Sequence, residues 1–332
     1  MIYDNMEFFN VRELTLKDNY PGLRINRFSK EMIDEFESKL PASYSRGCEI
    51  RFKLKGGTVL VYLISVDEDG EVLVFYGDHM HGRQPLKKGV ITPVVITPPP
   101  LLKTELDQLN HNSRFSKDIC RIFFDTKSIV HYCGCETNGN EITPPLKEEK
   151  PKKTFAAYGS SITHGAHAIG NHNSYIQVLA RLLKADVYNL GMSGSCRLEN
   201  KISDFISAVA CDFYLLELGV NVRGSLSTDE FKKRATYLIH KAVNTKKPVF
   251  VITIYPNIHT YYKEEPLHTA EIEFNMALRE IAREIDAQNI FLIEGGDVLT
   301  DFSELSTDLI HPSDSGHMQM GCNLFHIIKG SL

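Results

Sequence analysis

The stretch Thr154-Phe155-Ala156-Ala157-Tyr158-Gly159-Ser160-Ser161-Ile162-Thr163-His164-Gly165 is an apolar run of strand length that stops at a glycine and two serines. Four further apolar runs follow at about 186–190, 213–218, 248–254 and 290–293, and the segments between them carry a helical period. Tyr175, Val178, Leu179 and Leu182 fall at i, i+3, i+4 and i+7, on one helix face. Phe231, Ala235, Leu238, Ile239 and Ala242 repeat the pattern, as do Ile272, Leu278, Ile281, Ala282 and Ile285 within 267–286. Strand alternating with helix through five strands predicts an α/β domain with a mainly parallel sheet covered by helices on both faces. Ligands bind such sheets at the carboxyl ends of the strands, near the point where strand order reverses.

Upstream, residues 136–153 read ETNGNEITPPLKEEKPKK, polar and charged with three prolines, and this stretch is expected to be a linker. It separates a first domain, 1–135, from the second, 154–332. The first domain reads as short strands between Gly and Pro turns. Glu49 to Lys55 alternates charged and apolar residues, which places Ile50, Phe52 and Leu54 on the buried face of a half-exposed strand. The run 58–66 (TVLVYLISV), the turn Asp67-Glu68-Asp69-Gly70 and the run 71–76 predict a hairpin. Further strand-like runs lie at about 22–28, 90–96, 119–124 and 128–133, with one helical candidate at 30–40, so an antiparallel β-sandwich is expected.

With Lys+Arg 37 against Asp+Glu 42, a net charge of −5 provides no positive field to gather polyanions, which argues against nucleic acid as a partner. No apolar run approaches the roughly 18 residues of a membrane helix, and the start, MIYDNMEFFNVREL, has neither the basic nor the apolar region of a secretory signal. A cytoplasmic protein without membrane attachment is the expectation. Seven scattered cysteines fit a reducing compartment, and the Cys133/Cys135 pair, with no second pair at zinc spacing, reads as strand residues.

The strand-end loops of the second domain hold a chemically coherent set. Ser161 follows the first strand, Gly194 the second and Asn221 the third, while Asp308 and His311 lie together near the end of the chain. A serine hydroxyl is a weak nucleophile until an imidazole takes its proton. The imidazole in turn needs an acceptor on its other nitrogen, and Asp308, three residues before His311, can supply it. An oxyanion requires donors, for which the Ser161 and Gly194 backbone N–H groups and the Asn221 amide are the candidates.

These blocks resemble the SGNH hydrolase superfamily, the GDSL-like lipases and esterases, over about residues 154–325. Gly159-Ser160-Ser161-Ile162-Thr163 matches the nucleophile block, with Ser160 where the family has an aspartate. Ser193-Gly194 matches the second block, and Gly219 and Asn221 match the third, with Val222 where an aspartate is usual. Asp308, His311 and Pro312 match the fourth in full. The resemblance implies a three-layer α/β/α domain, flavodoxin-like and with a five-stranded sheet, here preceded by an all-β, jelly-roll-like sandwich. It further implies no metal or other cofactor, and hydrolysis through an acyl-enzyme on Ser161. In the family an accessory sandwich recurs among carbohydrate esterases, so the expected substrate is a small acyl ester, an O-acetylated sugar first, with a lysophospholipid or thioester as alternative and a catalytically silent binding protein as the rival of another class.

Each residue also has a plain structural reading. Ser161 alone would be a helix cap, Gly194 a turn glycine, Asn221 an Asx turn, and Asp308 and His311 residues of a helix start. Four blocks in one order, each at the end of an expected element, favour the chemical reading. Ser160 is the better structural serine. His164, His167 and His172 match no compact metal-binding pair and are expected at the surface, with His164 retained beside Tyr255 and Asn257 as a substrate-binding candidate. Asp78, His79 and His81 read as a turn, and Cys196 as packing.

Overall fold

A computed structural model of the chain describes residues 1–16, 19–104, 112–125, 127–264 and 266–332. The chain divides into two compact units, Met1–Lys152 and Lys153–Leu332.

In chain order the first unit contains β1 (Ile2–Tyr3), β2 (Met6–Phe9), β3 (Glu13–Leu16), β4 (Leu23–Asn26), the short helices α1 (Lys30–Glu35) and α2 (Lys39–Ser43), then β5 (Glu49–Leu54), β6 (Val59–Ser65), β7 (Gly70–Tyr76), β8 (His79–Leu86), β9 (Thr92–Ile96), β10 (Ile119–Phe124), β11 (Val130–Glu136) and β12 (Ile142–Thr143). One antiparallel sheet has the order β1-β2-β5-β10-β7-β8 with β12 on β5, and the other β3-β4-β11-β6-β9. Alternate residues of both sheets meet in one core: Ile50, Phe52, Val72, Val74, Ile122 and Phe124 from the first, Ile25, Val61, Leu63, Val94 and Val130 from the second. A period of two on each strand thus produces the sandwich.

Three expectations change. β6 and β7 do not form a hairpin; they lie in different sheets, and the turn Asp67–Gly70 carries the chain from one to the other. The charged face of β5 is buried, because Glu49 accepts from Arg121 Nε and Nη2, both at 2.8 Å, and from Arg51 Nε at 2.7 Å. Burial pushes the Glu49 carboxyl up, but the two guanidinium groups outweigh it and hold the group far below the usual carboxylate range. The segment expected as a linker belongs to the first unit, where Ile142 pairs with Leu54 and is buried in the core. Cys133 and Cys135 point apart across the irregularity at Gly134, Cys135 onto the main core and Cys133 onto a small cluster around Ile64.

The second unit contains β13 (Lys153–Tyr158), α3 (Ser161–His164), α4 (Tyr175–Leu183), β14 (Ala185–Asn189), α5 (Asn200–Ala208), β15 (Phe213–Glu217), α6 (Thr228–Val243), β16 (Val249–Ile252), α7 (Ile258–Tyr261), α8 (Leu267–Ile285), β17 (Ile290–Ile293), α9 (Gly295–Val298) and α10 (Asp314–Ile328). The strands are parallel in the order β14-β13-β15-β16-β17. β13 therefore has β14 on one side and β15 on the other, so strand order reverses beside it. On one face Phe155, Ala157, Phe213 and Leu215 pack with Tyr175 and Leu179 of α4 and Met320 and Leu324 of α10. The alternate residues Tyr158, Tyr214, Leu216 and Val251 are buried as well, and α6 packs with α5, α8 and β16. Leu182 and Ile272, expected on core faces, are exposed; Ile176 and Phe274 are buried in their helices instead. Among the described residues no helix is long and apolar enough to cross a membrane.

Candidate active site

β13 ends beneath a loop held on every side. The Ser160 hydroxyl caps α3 by accepting from the Ile162 N–H at 3.1 Å, while the Ser160 N–H donates to Glu217 Oε2 at 2.6 Å. Ser161 is then the first residue of the helix, where its own N–H has no intrahelical acceptor. Its hydroxyl lies 2.7 Å from His311 Nε2, and His311 Nδ1 lies 2.7 Å from Asp308 Oδ2.

The turn that carries this pair is tightly built. Asp308 Oδ1 accepts from the Ile310 and His311 N–H groups and from the Ser306 hydroxyl, each at 2.9 Å. Ser306 N–H donates to the His311 carbonyl at 2.8 Å, closing the loop. Partial burial pushes the Asp308 carboxyl up, but the His311 backbone and ring and the other donors outweigh it, so the group stays well below the usual carboxylate range. An ionised Asp308 accepts the Nδ1 proton, which leaves the Nε2 lone pair facing the Ser161 hydroxyl. That arrangement can remove a proton from the hydroxyl as it attacks.

The neighbouring strand ends bring up the other blocks. After β14, Met192 N–H donates to the Gly159 carbonyl at 2.8 Å, so the second loop is laid against the first. A Cβ on Gly191 would meet the His164 backbone nitrogen at 2.4 Å, and this contact requires glycine. Gly194 has φ +67, a left-handed conformation that glycine adopts without strain, and sits exposed in open space. After β15, Asn221 Oδ1 accepts from the Cys196 N–H at 3.1 Å, which leaves the Nδ2 half of its amide as donor. Since β14, β13 and β15 are adjacent, Gly194, Ser161 and Asn221 all follow the same edge of the sheet.

The remaining candidates separate. His164 is not at the surface: it is fully buried, and its Nδ1 bonds the Ser193 hydroxyl at 2.9 Å, tying α3 to the second loop. Tyr255 is a core residue, edge-on to Tyr175 with ring centroids 6.0 Å apart, because the chain turns inward after β16. Asn257 is buried too; it caps α7 by accepting from His259 N–H and donates to the Tyr255 carbonyl and to Glu271. Its amide is spent inside a network with Glu271, which also pairs with Arg223. Cys196 is buried, and burial pushes its thiol well up. His172 is half-buried and His167 exposed.

Two residues at the site had no role in the sequence reading. His167 stacks on His311, with ring centroids 4.9 Å apart and planes within 7°, and its Nε2 lies 3.6 Å from Asp308 Oδ2. Ligand atoms of His167, Asp308 and His311 fall within 4.8 Å of one another. Two parallel stacked rings direct their in-plane lone pairs in different planes, however, so this arrangement does not offer a single ion both nitrogens. No spacing rule reveals the stack. Glu217, by contrast, left a signal: one charge in the apolar strand FYLLEL. It is buried, accepts also from the Thr163 hydroxyl at 3.0 Å, and burial, outweighing its hydrogen bonds, pushes its carboxyl up to about 7. Beside the Asp308 turn, Ile258 N–H donates to the Leu309 carbonyl at 2.8 Å, and Ile258, Tyr261, Tyr262 and Phe302 line an apolar cleft of about 440 Å³.

No curated protein matches the sequence. Among solved structures the chain is similar to the salicylyl-acyltransferase SsfX3 from a tetracycline biosynthetic pathway, at 14% identity and TM-score 0.81 over 99% of this chain and 95% of that one. A family two carbohydrate esterase from Clostridium thermocellum, an active-site mutant, aligns over 98% of both chains at 13% identity and TM-score 0.65. One from Cellvibrio japonicus aligns over 98% of this chain and 95% of its own at 12% identity and TM-score 0.64. At these identities the likeness is one of fold. The sequence model of the GDSL-like lipase/acylhydrolase family matches residues 152–329, more than half of the chain and all four blocks, and the protein belongs to that family of ester-bond hydrolases.

Proposed function

We propose that the protein is a serine esterase in which Ser161 is the nucleophile, His311 the general base and Asp308 its orienting carboxylate. The observation that carries this reading is the unbroken hydrogen-bonded line from the Ser161 hydroxyl through His311 to Asp308. Ser161 Oγ adds to the acyl carbon as its proton passes to His311 Nε2. The oxyanion is met by the Ser161 and Gly194 N–H groups and the Asn221 amide. His311 then gives the proton to the departing alcohol, leaving an acyl-serine that water cleaves by the reverse path. The substrate we favour is a short acyl ester on a carbohydrate, an O-acetyl group removed to free acetate. Support comes from the fold likeness to family two carbohydrate esterases over both units.

Turnover of 4-nitrophenyl acetate by the wild type and by Ser161→Ala tests the nucleophile. Loss in the variant is expected, and equal rates would remove Ser161 from the mechanism. No turnover of any acyl ester by the wild type would instead favour a silent binding protein. Release of acetate from acetylated oligosaccharides tests the substrate class. A second reading, an ester with a longer apolar acyl group as in a lysophospholipid or thioester, is favoured by the apolar cleft beside the Asp308 turn. If acyl carbons enter that cleft, each methylene from acetate to octanoate should add about 0.8 kcal/mol, roughly fourfold in kcat/KM. A preference that falls with length supports the deacetylase.

A further inference from the structure

We infer that His167 is a positioning residue, holding the imidazole of His311 on the line between Ser161 and Asp308 by stacking on its face. The inference rests on the relay proposed above. The two hydrogen bonds of His311 lie in the plane of its ring and restrain in-plane movement; tilting out of the plane is resisted only by what covers the faces. The His167 ring covers one face, its centroid 4.9 Å from that of His311 and the planes parallel within 7°.

His167 itself is fixed to the nucleophile. The residue before it, Ala166, donates its N–H to the Ser161 carbonyl at 2.9 Å, and its own carbonyl accepts from the buried His317 Nε2 at 2.8 Å. The backbone of His167 is left-handed, φ +66, a conformation in which histidine and asparagine are enriched. Its side chain remains 47% exposed, so core packing does not account for its place. During turnover the Ser161 hydroxyl becomes an ester, and His311 Nε2 exchanges that partner for the leaving alcohol and then for water. One of its two in-plane restraints lapses in those steps, and the stack persists. Its effect belongs in kcat rather than in substrate affinity.

The test uses the full chain, 4-nitrophenyl acetate and two substitutions that separate ring from backbone. His167→Asn keeps a residue suited to the left-handed backbone and removes the ring; His167→Phe keeps a ring and removes the nitrogens. The expected result is a roughly three- to tenfold fall in kcat with unchanged KM for His167→Asn, and kcat within about twofold of wild type for His167→Phe. Unaltered kcat in His167→Asn, a change confined to KM, or a Phe variant as slow as the Asn variant would overturn the inference. Thermal melts accompany the kinetics, and His167→Tyr takes the place of the Phe variant if that one melts early. Ser161→Ala in the same assay reports on the relay alone: full activity there removes the reading on which the stack depends, whatever His167 does.

Discussion

Replacing Glu217 by glutamine should stabilise the second unit above neutral pH and leave it little changed near pH 4.5. Glu217 is 1% exposed. Its Oε2 accepts from the Ser160 N–H at 2.6 Å and the Thr163 hydroxyl at 3.0 Å, while Oε1 is buried with no hydrogen-bond partner. Burial raises the carboxyl to about 7 against the pull of those donors and of the Arg223 charge. The unfolded chain returns it to an ordinary glutamate value of about 4.3. Between these values the folded state binds more protons than the unfolded one, so the contribution of Glu217 to stability is complete below about pH 4.3 and falls as pH rises through 7. The loss comes to about 4 kcal/mol once the carboxylate is ionised in both states. Glutamine cannot ionise, keeps an acceptor for Ser160 and Thr163, and places its NH2 where Oε1 now lies. The stability difference between variant and wild type should therefore grow by about 3 kcal/mol from pH 4.5 to 8. The chain has no tryptophan, so urea unfolding is followed by circular dichroism together with hydrogen exchange of peptides spanning 153–218. A difference that stays constant over that pH range, or shrinks, would show that burial does not raise the Glu217 carboxyl.

Other substitutions test the rest of the site. Asp308→Asn removes the acceptor that fixes the His311 tautomer, and kcat on 4-nitrophenyl acetate should fall by about 10²–10⁴ with the melting temperature nearly unchanged. Asn221→Ala deletes one proposed oxyanion donor, for which a loss of about 10²–10³ in kcat at similar KM is expected. Gly191→Ala drives a methyl to within 2.4 Å of the His164 backbone, which should cost about 1–3 kcal/mol in urea unfolding and lower activity by shifting the loop that bears Gly194. Ser160→Asp keeps a side-chain acceptor for the Ile162 N–H but sets a second carboxylate beside buried Glu217; it should destabilise the fold, and less so when combined with Glu217→Gln, as a double-mutant cycle would show.

Much of this architecture is legible along the chain because its signals are local. Five apolar runs separated by helical periods become the five strands of the parallel sheet; their flavodoxin-like order, which the family resemblance implied, sets the strand that leads to Ser161 at the reversal. The Asp308-x-x-His311 spacing is equally local, since one turn presents both groups. What escaped depends on partners distant in sequence. A turn sequence at Asp67–Gly70 says that the chain bends but not into which sheet the next strand goes. The charged face of β5 looks solvated until Arg121, 72 residues away from Glu49, is placed against it. Ile272 and Leu182 fit a helix period but lie at the margin of the apolar stripe, where a few degrees of rotation decide exposure. The His167 stack joins two loops 144 residues apart in sequence, by His167 and His311 numbering, through geometry no periodicity encodes.

The two departures from the family pattern are compensated differently. At Ser160 the side chain, lacking a carboxylate, satisfies the helix start as a cap, and a carboxylate reaches the same loop from the adjacent strand: Glu217 takes the Ser160 N–H and the Thr163 hydroxyl. A carboxylate on the neighbouring strand binds β13's end to β15, which a carboxylate within the loop itself would not do. At Val222 the replacement is apolar and fully buried, so the charge is not re-supplied at that point. The next residue, Arg223, instead turns into the interior, where it pairs with Glu271 and bonds Asn257. That network fixes the loop after β15 to α8 and to the cap of α7, the helix whose first N–H holds Leu309 in the Asp308 turn. A chain of contacts therefore runs from the Asn221 loop through Arg223, Asn257 and α7 to the turn carrying His311. The substitution at Val222 leaves the proposed oxyanion donor Asn221 and the proposed base His311 joined through the protein interior, without an acid at the mouth of the site.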